Sequence, residues 1–536
     1  MASNYEKSIY KQLEDEIIAH EASKAKIDAL RIEISDLKAE IAAMKARHAE
    51  EMKAAIQAAV EEAVKAATEP LFQEILRLKA IIGKDSSNSS KPPSSDGFKT
   101  PRAKVQNSRE QTGKKPGGQK GHKGHTLELP ENIEELIAKG EVAYEVEEHG
   151  DCSGLYSTKY EIGIQIKAII TEHRYPIGSK IPPEHANNVF YGDSAKALAL
   201  LLSAGDFVPF ERLSELFSQL TNGVCAPTEG MLAALMPSFA KKLDAELESV
   251  KQDLLNSEVM HTDDTPLKTT QKLQYAVCGK GGCGLDSASC SKECGEPEMA
   301  STEGLGKTMQ AYARTYSNER STLYAAQARK DAGGLLRDGI IELFFGILSH
   351  DHDAKLYRHG GGHATCCEHL CRDLKELEAL YSIKWAQGAR SFFYDMNARK
   401  NRDLELNISE CDPEALEAYM DKYDAMAAEG RAYLKSLGEN GFGAKELNAM
   451  LNRLEKYKSC YTLFMRDYRA PFTNNLAERD LRMIKAKQKI SGCFRSWGGI
   501  TSFLAIRSFL STAHKRGLNL LESIEKVFKG EPVFAI

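Results

Sequence analysis

Three acidic positions stand out by residue type and setting: Asp263 in HTDDT, Asp351 in SHDHD and Glu478 in PFTNNLAERDLRMIK. The first two close runs that read as strands, VMHTDDT and FFGILSHD. If those strands lie side by side in one sheet, the two carboxylates project at one region. Buried carboxylates repel and stay ionised together only when cations neutralise them, and hard oxygen donors select Mg²⁺ or Mn²⁺ over softer metals. Two such ions about 4 Å apart can activate a water and stabilise the leaving oxygen of a phosphodiester. A third carboxylate normally completes such a cage, and Asn474 or Asn475 can cap a helix that presents Glu478 in its first turn. The same strings also read as turns at strand ends, where Asp is common, so residue type alone leaves both readings open.

Other groups invite a metal or a nucleic acid. Cys278, Cys283, Cys290 and Cys294 form C-x4-C-x6-C-x3-C within a Gly-rich insertion at 278–306, which can hold zinc or consist of ordinary reduced cysteines on a loop. His363, Cys366, Cys367, His369 and Cys371 look metal-like at first sight. EGLGKT at 303–308 brings a P-loop to mind and fails, because Ser301 stands where its first Gly is required. After Glu478 the charge turns positive through Arg479, Arg482, Lys485, Lys487, Lys489, Arg495, Arg507, Lys515 and Arg516, with Asp480 the only acid among them. A cationic wall beside a carboxylate cage suits a polyanion. Phe494 and Trp497 can stack on a frayed base or simply pack in a core.

The elements that must position these groups are legible from periodicity. A chain of 536 residues is too long for one core, and 42% hydrophobic with 27% charged residues is an ordinary globular balance that fits neither wholesale disorder nor a membrane protein. Residues 1–82 carry Ile27, Leu30, Ile34, Leu37, Ile41 and Met44 in alternating steps of three and four, the seam of a coiled coil, or else of one exposed helix docked on its own body. Residues 83–125 are Ser-, Pro- and Gly-rich and hold ten Lys and Arg, Lys114, Lys115, Lys120 and Lys123 among them, against three acids. That segment reads as a flexible basic linker, able to bind phosphates or merely to stay solvated. Residues 126–255 read as a small mixed region with strand-like alternation in LYSTKYEIGIQIKAIITEHRY, followed by helices. Short strands begin near 256, at VMHTDDT, LQYAVCG, MQAYARTYS and FFGILSHD, with a helix at ARKDAGGLLRDGII. A long helical stretch covers roughly 366–465. The acids in MASNYEKSIYKQLEDE and the shortness of every apolar run predict a cytoplasmic protein with no membrane span. Twelve cysteines in so long a chain suggest reduced thiols or zinc in preference to a disulfide framework, and the net charge of -5 hides strong local asymmetry.

NSSKPPSSD, GGQKGHKGH, HTDDTPLKT, GILSHDHDAKLY with HATCCEHLCRDLK, and PFTNNLAERDLRMIKAKQKISGCFRSWGG resemble, in order, the motifs of the insertion sequence 66 family of transposases. The resemblance runs from about residue 85 onward. It implies an α/β ribonuclease-H-like catalytic core with an α-helical insertion, preceded by the N-terminal coiled-coil helix and the basic linker. It implies Asp263, Asp351 and Glu478 as the catalytic triad, with Asp264 where the family carries Glu. The core would occupy 256–380 and 471–536, the insertion 381–470, and 126–255 a degenerate zinc ribbon with helical DNA-binding elements. Only Cys152 remains of that ribbon's Cys pairs, so it is expected to be metal-free. The stretch from His363 to Cys371 would be a strand running into a helix beside the acids, with His369 packing or touching a phosphate. The implied partners are transposon ends and target DNA, a second copy of the chain joined through 1–82, and helper proteins. The rival reading is a non-catalytic DNA-binding protein derived from a transposase.

Overall fold

The computed structural model describes residues 128–534, with breaks within 151–156 and at 272–273, 278–297, 302–303, 306–307, 331 and 439–440, and a few single positions before 128. The expected coiled coil at 1–82, the linker lysines Lys114, Lys115, Lys120 and Lys123, and Cys278, Cys283, Cys290 and Cys294 therefore lie outside the described residues. The chain divides into two compact units, 97–171 and the remainder. In the smaller unit the described residues form one short helix, α1 (Ile133–Ala138). The alternation across 155–175 predicts strands, yet residues 157–175 form none, and Tyr160, Ile162, Ile164, Ile169 and Ile170 are exposed. Alternation marks a potential sheet face, but a strand exists only where a neighbouring backbone completes its ladder.

Among the described residues of the larger unit, helices α2 (Asp193–Leu200), α3 (Phe210–Leu220), α4 (Glu229–Ala240) and α5 (Asp244–Leu255) precede the sheet. Thr228 starts α4 by accepting from the Met231 N–H. The sheet strands are β1 (Val259–Thr269), β2 (Gln274–Val277), β3 (Glu298–Ser301), β4 (Gly304–Leu305), β5 (Thr308–Ser317) and β6 (Thr322–Gln327), followed by α6 (Ala332–Arg337), β7 (Ile347–His350) and β8 (Gly362–Thr365). β5 pairs antiparallel with β6 and with β1, β1 pairs parallel with β7, and β7 parallel with β8. The short β4 also pairs with β5. LQYAVCG contributes β2, which pairs with β3 in a separate two-stranded ribbon and so stays outside the main sheet. The main sheet instead gains β6, whose sequence TLYAAQ is too weakly alternating to announce itself.

The remaining helices are α7 (Cys367–Tyr381), α8 (Trp385–Glu405), α9 (Pro413–Leu437), α10 (Ala444–Lys456), two one-turn helices at Lys458–Tyr461 and Leu463–Arg466, then α11 (Asn475–Ser491), α12 (Trp497–Lys515) and α13 (Leu520–Lys529). β7 is buried at every position, as befits a strand with parallel neighbours on both sides and helices on both faces. One face of the sheet packs Met260, Tyr316 and Leu348 with α2, α4, α5 and the later part of α12. The other packs Leu267, Ala311 and Ala313 against Leu481 and Ile484 of α11 and Ile500 and Phe503 of α12. A third core, with Leu370, Leu374, Phe393, Tyr423, Leu447 and Phe464, binds α7–α10 into a helical block lying in sequence between β8 and α11.

Candidate metal centre at the strand ends

β1 and β7 run parallel with Thr262 opposite His350, so Asp263 and Asp351 are the next residues along each chain. β7 ends there while β1 continues against β5 alone. Adjacent parallel strands whose carboxyl ends open onto a gap form the natural ligand crevice of an open α/β sheet. Odd-numbered positions of β1 face α11: His261 contacts Asn474 and Leu267 packs on Leu481. Alternation thus turns Asp263 toward the same helix and turns Asp264 away, onto Arg314.

Glu478 stands in the first turn of α11. Asn474 occupies the N-cap position but its side chain makes no cap. Instead Asn474, fully buried, donates from Nδ2 to the Thr262 carbonyl at 2.9 Å and offers Oδ1 to His261 Nδ1 at 3.1 Å and to the Ser349 hydroxyl at 3.5 Å. It clamps the start of α11 to both acid-bearing strands. The start of α7 is tied to the same segment, because the Cys367 N–H donates to the Phe472 carbonyl at 2.9 Å and the Asn474 N–H to Cys366 Sγ at 3.3 Å. The first turns of α7 and α11 are therefore held together, and His369 reaches between them.

His369 Nδ1 lies 3.2 Å from Asp351 Oδ1, 3.6 Å from Glu478 Oε1 and 3.3 Å from Cys366 Sγ. Asp351 Oδ1 and Glu478 Oε1 are shut off from solvent, and neither receives an aligned hydrogen bond. Burial pushes the Asp263 carboxyl up to about 7, with the charge of Asp351 adding to the effect and that of Glu478 contributing less. Burial also pushes Asp351 upward, but His369 beside it holds its carboxyl below the ordinary value. His369 in turn, drawn down by burial, is raised to about 11 chiefly by Asp351 and Cys366. His369 brings one positive charge to the carboxyls of Asp351 and Glu478, and buried oxygens without an aligned hydrogen bond beside a carboxyl that resists ionisation are what a divalent cation would satisfy. Asp351 and Glu478 supply hard donors and His369 and Cys366 softer ones, all within 4.8 Å of one another; Asp263 is not a member of that group and shares only a cavity lining with Asp351.

The neighbouring acids differ. Asp264 is paired with Arg314 at 2.7 Å and Lys330 at 2.8 Å, and together with Asp263, Asp351 and Asp353 these residues line a cavity of about 310 Å³. Asp480 is buried and accepts from Ser317, Thr322 and Lys515 at 2.7–2.9 Å.

The basic run after Glu478 divides in two. Arg479, Arg482, Lys489 and Arg495 are exposed, and Lys485 and Lys487 are half-buried, with Lys487 lying over the Phe503 ring. Arg507, Lys515 and Arg516 do not belong to a cationic wall. Arg507 is buried and donates to the Ala204 and Gly205 carbonyls, Lys515 pairs with Asp480, and Arg516 covers the Phe534 ring. Phe494 and Trp497, both half-buried, pack on the core between sheet and helices, Phe494 with its ring centre 5.5 Å from that of Phe503. Sequence reasoning underrated His369 and Cys366 and missed the clamping role of Asn474. The i, i+3 spacing of Cys366 and His369 was the available signal for the first two.

The fold and site define an α/β protein with helices on both faces of a mixed sheet and an acid-rich donor cluster at the ends of its parallel strands. Residues 188–280 and 294–502, more than half of the chain, match the family described as Transposase IS66 family, and the chain belongs to it. Residues 16–128 match a second family, described as Family of unknown function (DUF6444). No curated protein matches the chain. Among the described residues no helix is long and apolar enough to cross a membrane.

Proposed function

We propose that this chain cleaves DNA at the ends of its own mobile element and joins those ends to target DNA, using Asp263, Asp351 and Glu478 to hold two Mg²⁺ or Mn²⁺ ions. The observation that carries the reading is the pair of solvent-excluded oxygens on Asp351 and Glu478, neither with an aligned hydrogen bond, beside the burial-raised Asp263. The sheet order supports a ribonuclease-H-like core: three antiparallel strands, β6, β5 and β1, continue into two parallel ones, β7 and β8. On this reading the core spans 256–380 and 471–536, and the helices of 381–470 interrupt it between the second and third acids.

Bound at these acids, divalent ions would supply an activated water or 3′-hydroxyl and stabilise the departing oxygen. The chain's own contribution is placement. Asn474 fixes the start of α11 against both acid-bearing strands, so that the carboxylates keep one spacing through cleavage and joining. Arg479, Arg482, Lys485, Lys487, Lys489 and Arg495 follow Glu478 along α11 and the turn after it, where they would bring the phosphate backbone to the acids against their repulsion. Lys114, Lys115, Lys120 and Lys123 would hold the flanking duplex, and the seam of 1–82 would pair two copies so that both element ends meet. The cytoplasm is the compartment in which this protein would meet DNA and helper proteins.

The test is nicking of duplex DNA carrying the element's terminal repeats, with and without Mg²⁺. Metal-dependent release of a 3′-hydroxyl at the repeat boundary is expected, with binding that weakens steeply as salt rises. Salt-sensitive binding with no cleavage in either Mg²⁺ or Mn²⁺ would replace this reading with that of a non-catalytic DNA-binding protein.

A further inference from the structure

The cluster around His369 holds more than the acidic triad requires. Four donor atoms from Asp351, Cys366, His369 and Glu478 all lie within 4.8 Å of one another. His369 Nδ1 can carry one hydrogen, yet it faces three acceptors: Asp351 Oδ1 at 3.2 Å, Cys366 Sγ at 3.3 Å and Glu478 Oε1 at 3.6 Å. One hydrogen cannot align on all three, and neither carboxylate oxygen receives an aligned hydrogen bond. A single cation at the centre would satisfy all four at once. Tetrahedral donors at roughly 2.0–2.3 Å from a metal stand roughly 3.3–3.8 Å from each other, which is close to the spacing these three contacts already have.

The identity of the donors selects the ion. Mg²⁺ demands six oxygens and binds sulfur and imidazole poorly, whereas a set of one thiolate, one imidazole and two carboxylates suits zinc and its neighbours. Cys366 is buried, sits at the N-cap position of the fifteen-residue α7 and receives the Asn474 N–H, so a helix terminus and a backbone donor both favour negative charge where the metal would need it. Cys366 and His369 are three residues apart at the start of one helix, which puts both on one face.

We propose that Cys366, His369, Asp351 and Glu478 form a mixed-donor seat for a divalent transition ion of the zinc class, adjacent to an oxygen-only seat at Asp263 and Asp351, with Asp351 shared between them. This deepens the proposed function by replacing one of its two Mg²⁺ or Mn²⁺ ions with an ion of the zinc class, and rests on that reading for the neighbouring seat alone. The two ions of such a centre would then be chemically unlike.

The probe is Co²⁺, titrated into the full chain carrying Cys278→Ser, Cys283→Ser, Cys290→Ser and Cys294→Ser so that the insertion cysteines contribute no signal. The expected result is a thiolate-to-cobalt charge-transfer absorption together with the intense visible bands of a four-coordinate ion, displaced by Zn²⁺ and unaffected by millimolar Mg²⁺. Cys366→Ser should remove the charge-transfer band, and His369→Gln should weaken Co²⁺ binding by about tenfold or more. Thermal melts in chelator verify that each variant is folded, and should Cys366→Ser fail that check, His369→Gln carries the test. Asp263→Asn should leave the band in place. Absence of the band, or a band untouched by Cys366→Ser and His369→Gln in folded protein, overturns the proposal. Mg²⁺-dependent nicking measured on the same protein separates the two ideas: nicking without the band sinks only the mixed seat, and the band without nicking sinks only the transposition reading.

Discussion

Glu478 and Asp480 lie two residues apart on α11 and have opposite fates. Asp480 is enclosed by Ser317, Thr322 and Lys515, so its charge is fully compensated and it locks the helix to β5, β6 and α12. Glu478 presents a buried oxygen with no aligned hydrogen bond, His369 Nδ1 standing 3.6 Å away. The same contrast recurs on β1, where Asp264 is held by Arg314 and Lys330 while its neighbour Asp263 is pushed toward the neutral form. In both pairs one acid stabilises the fold and the other costs stability, which marks the second as kept for a task.

The sharpest way to break this comparison is to neutralise one acid of each kind. Asp263→Asn or Glu478→Gln should reduce strand cleavage by roughly 10³-fold or more, with Asp263→Asn leaving the melting temperature unchanged or slightly higher because a repulsive buried charge has gone. Cleavage near the wild-type rate in either variant would end the assignment. Asp480→Ala should do the reverse. It strands Lys515 and the Ser317 and Thr322 hydroxyls, and should cost about 3–5 kcal/mol by chemical denaturation, with activity falling only as the folded fraction falls. A smaller effect is expected for Asn474→Ala, which should cost about 1–3 kcal/mol through the partners left behind, yet lower cleavage out of proportion because α11 loses its clamp to β1 and β7.

The smallest effect on cleavage is expected from a structural acid outside the site. Burial raises the Asp338 carboxyl to about 6, against which Tyr316 and Gln327 donate to it. A folded-state value above the unfolded one means the native protein holds the extra proton, so stability falls as pH rises from about 4 to 6 and levels off above that window. Asp338→Asn should flatten that decline, an amount on the order of 3 kcal/mol in unfolding free energy measured by denaturation across the interval.

Sequence could name acids but could not sort them. HTDDT and NNLAERD each carry two, and only strand parity and the three-dimensional position of Arg314 and Lys515 separate the paired acid from the unpaired one. Strong period-two signals located β1, β5 and β7, while TLYAAQ in β6 gave none, and the alternation near Ile162 and Ile164 produced no strand for want of a partner. Asn474 read as a cap because its position before α11 is that of one; its true partners are on strands more than a hundred residues earlier, where no local rule can see them. Arg507, Lys515 and Arg516 read as DNA-facing because charge alone does not reveal which cations are spoken for inside the fold.

The helical block between β8 and α11 separates Asp263 and Asp351 from Glu478 along the chain, so the third acid emerges from the ribosome only after α7–α10 have been synthesised. Until then the nascent polypeptide has two carboxylates of the cluster and no Asn474 to dock them against. On the proposed reading, the donor cluster cannot be complete until α11 has been made and laid against the sheet.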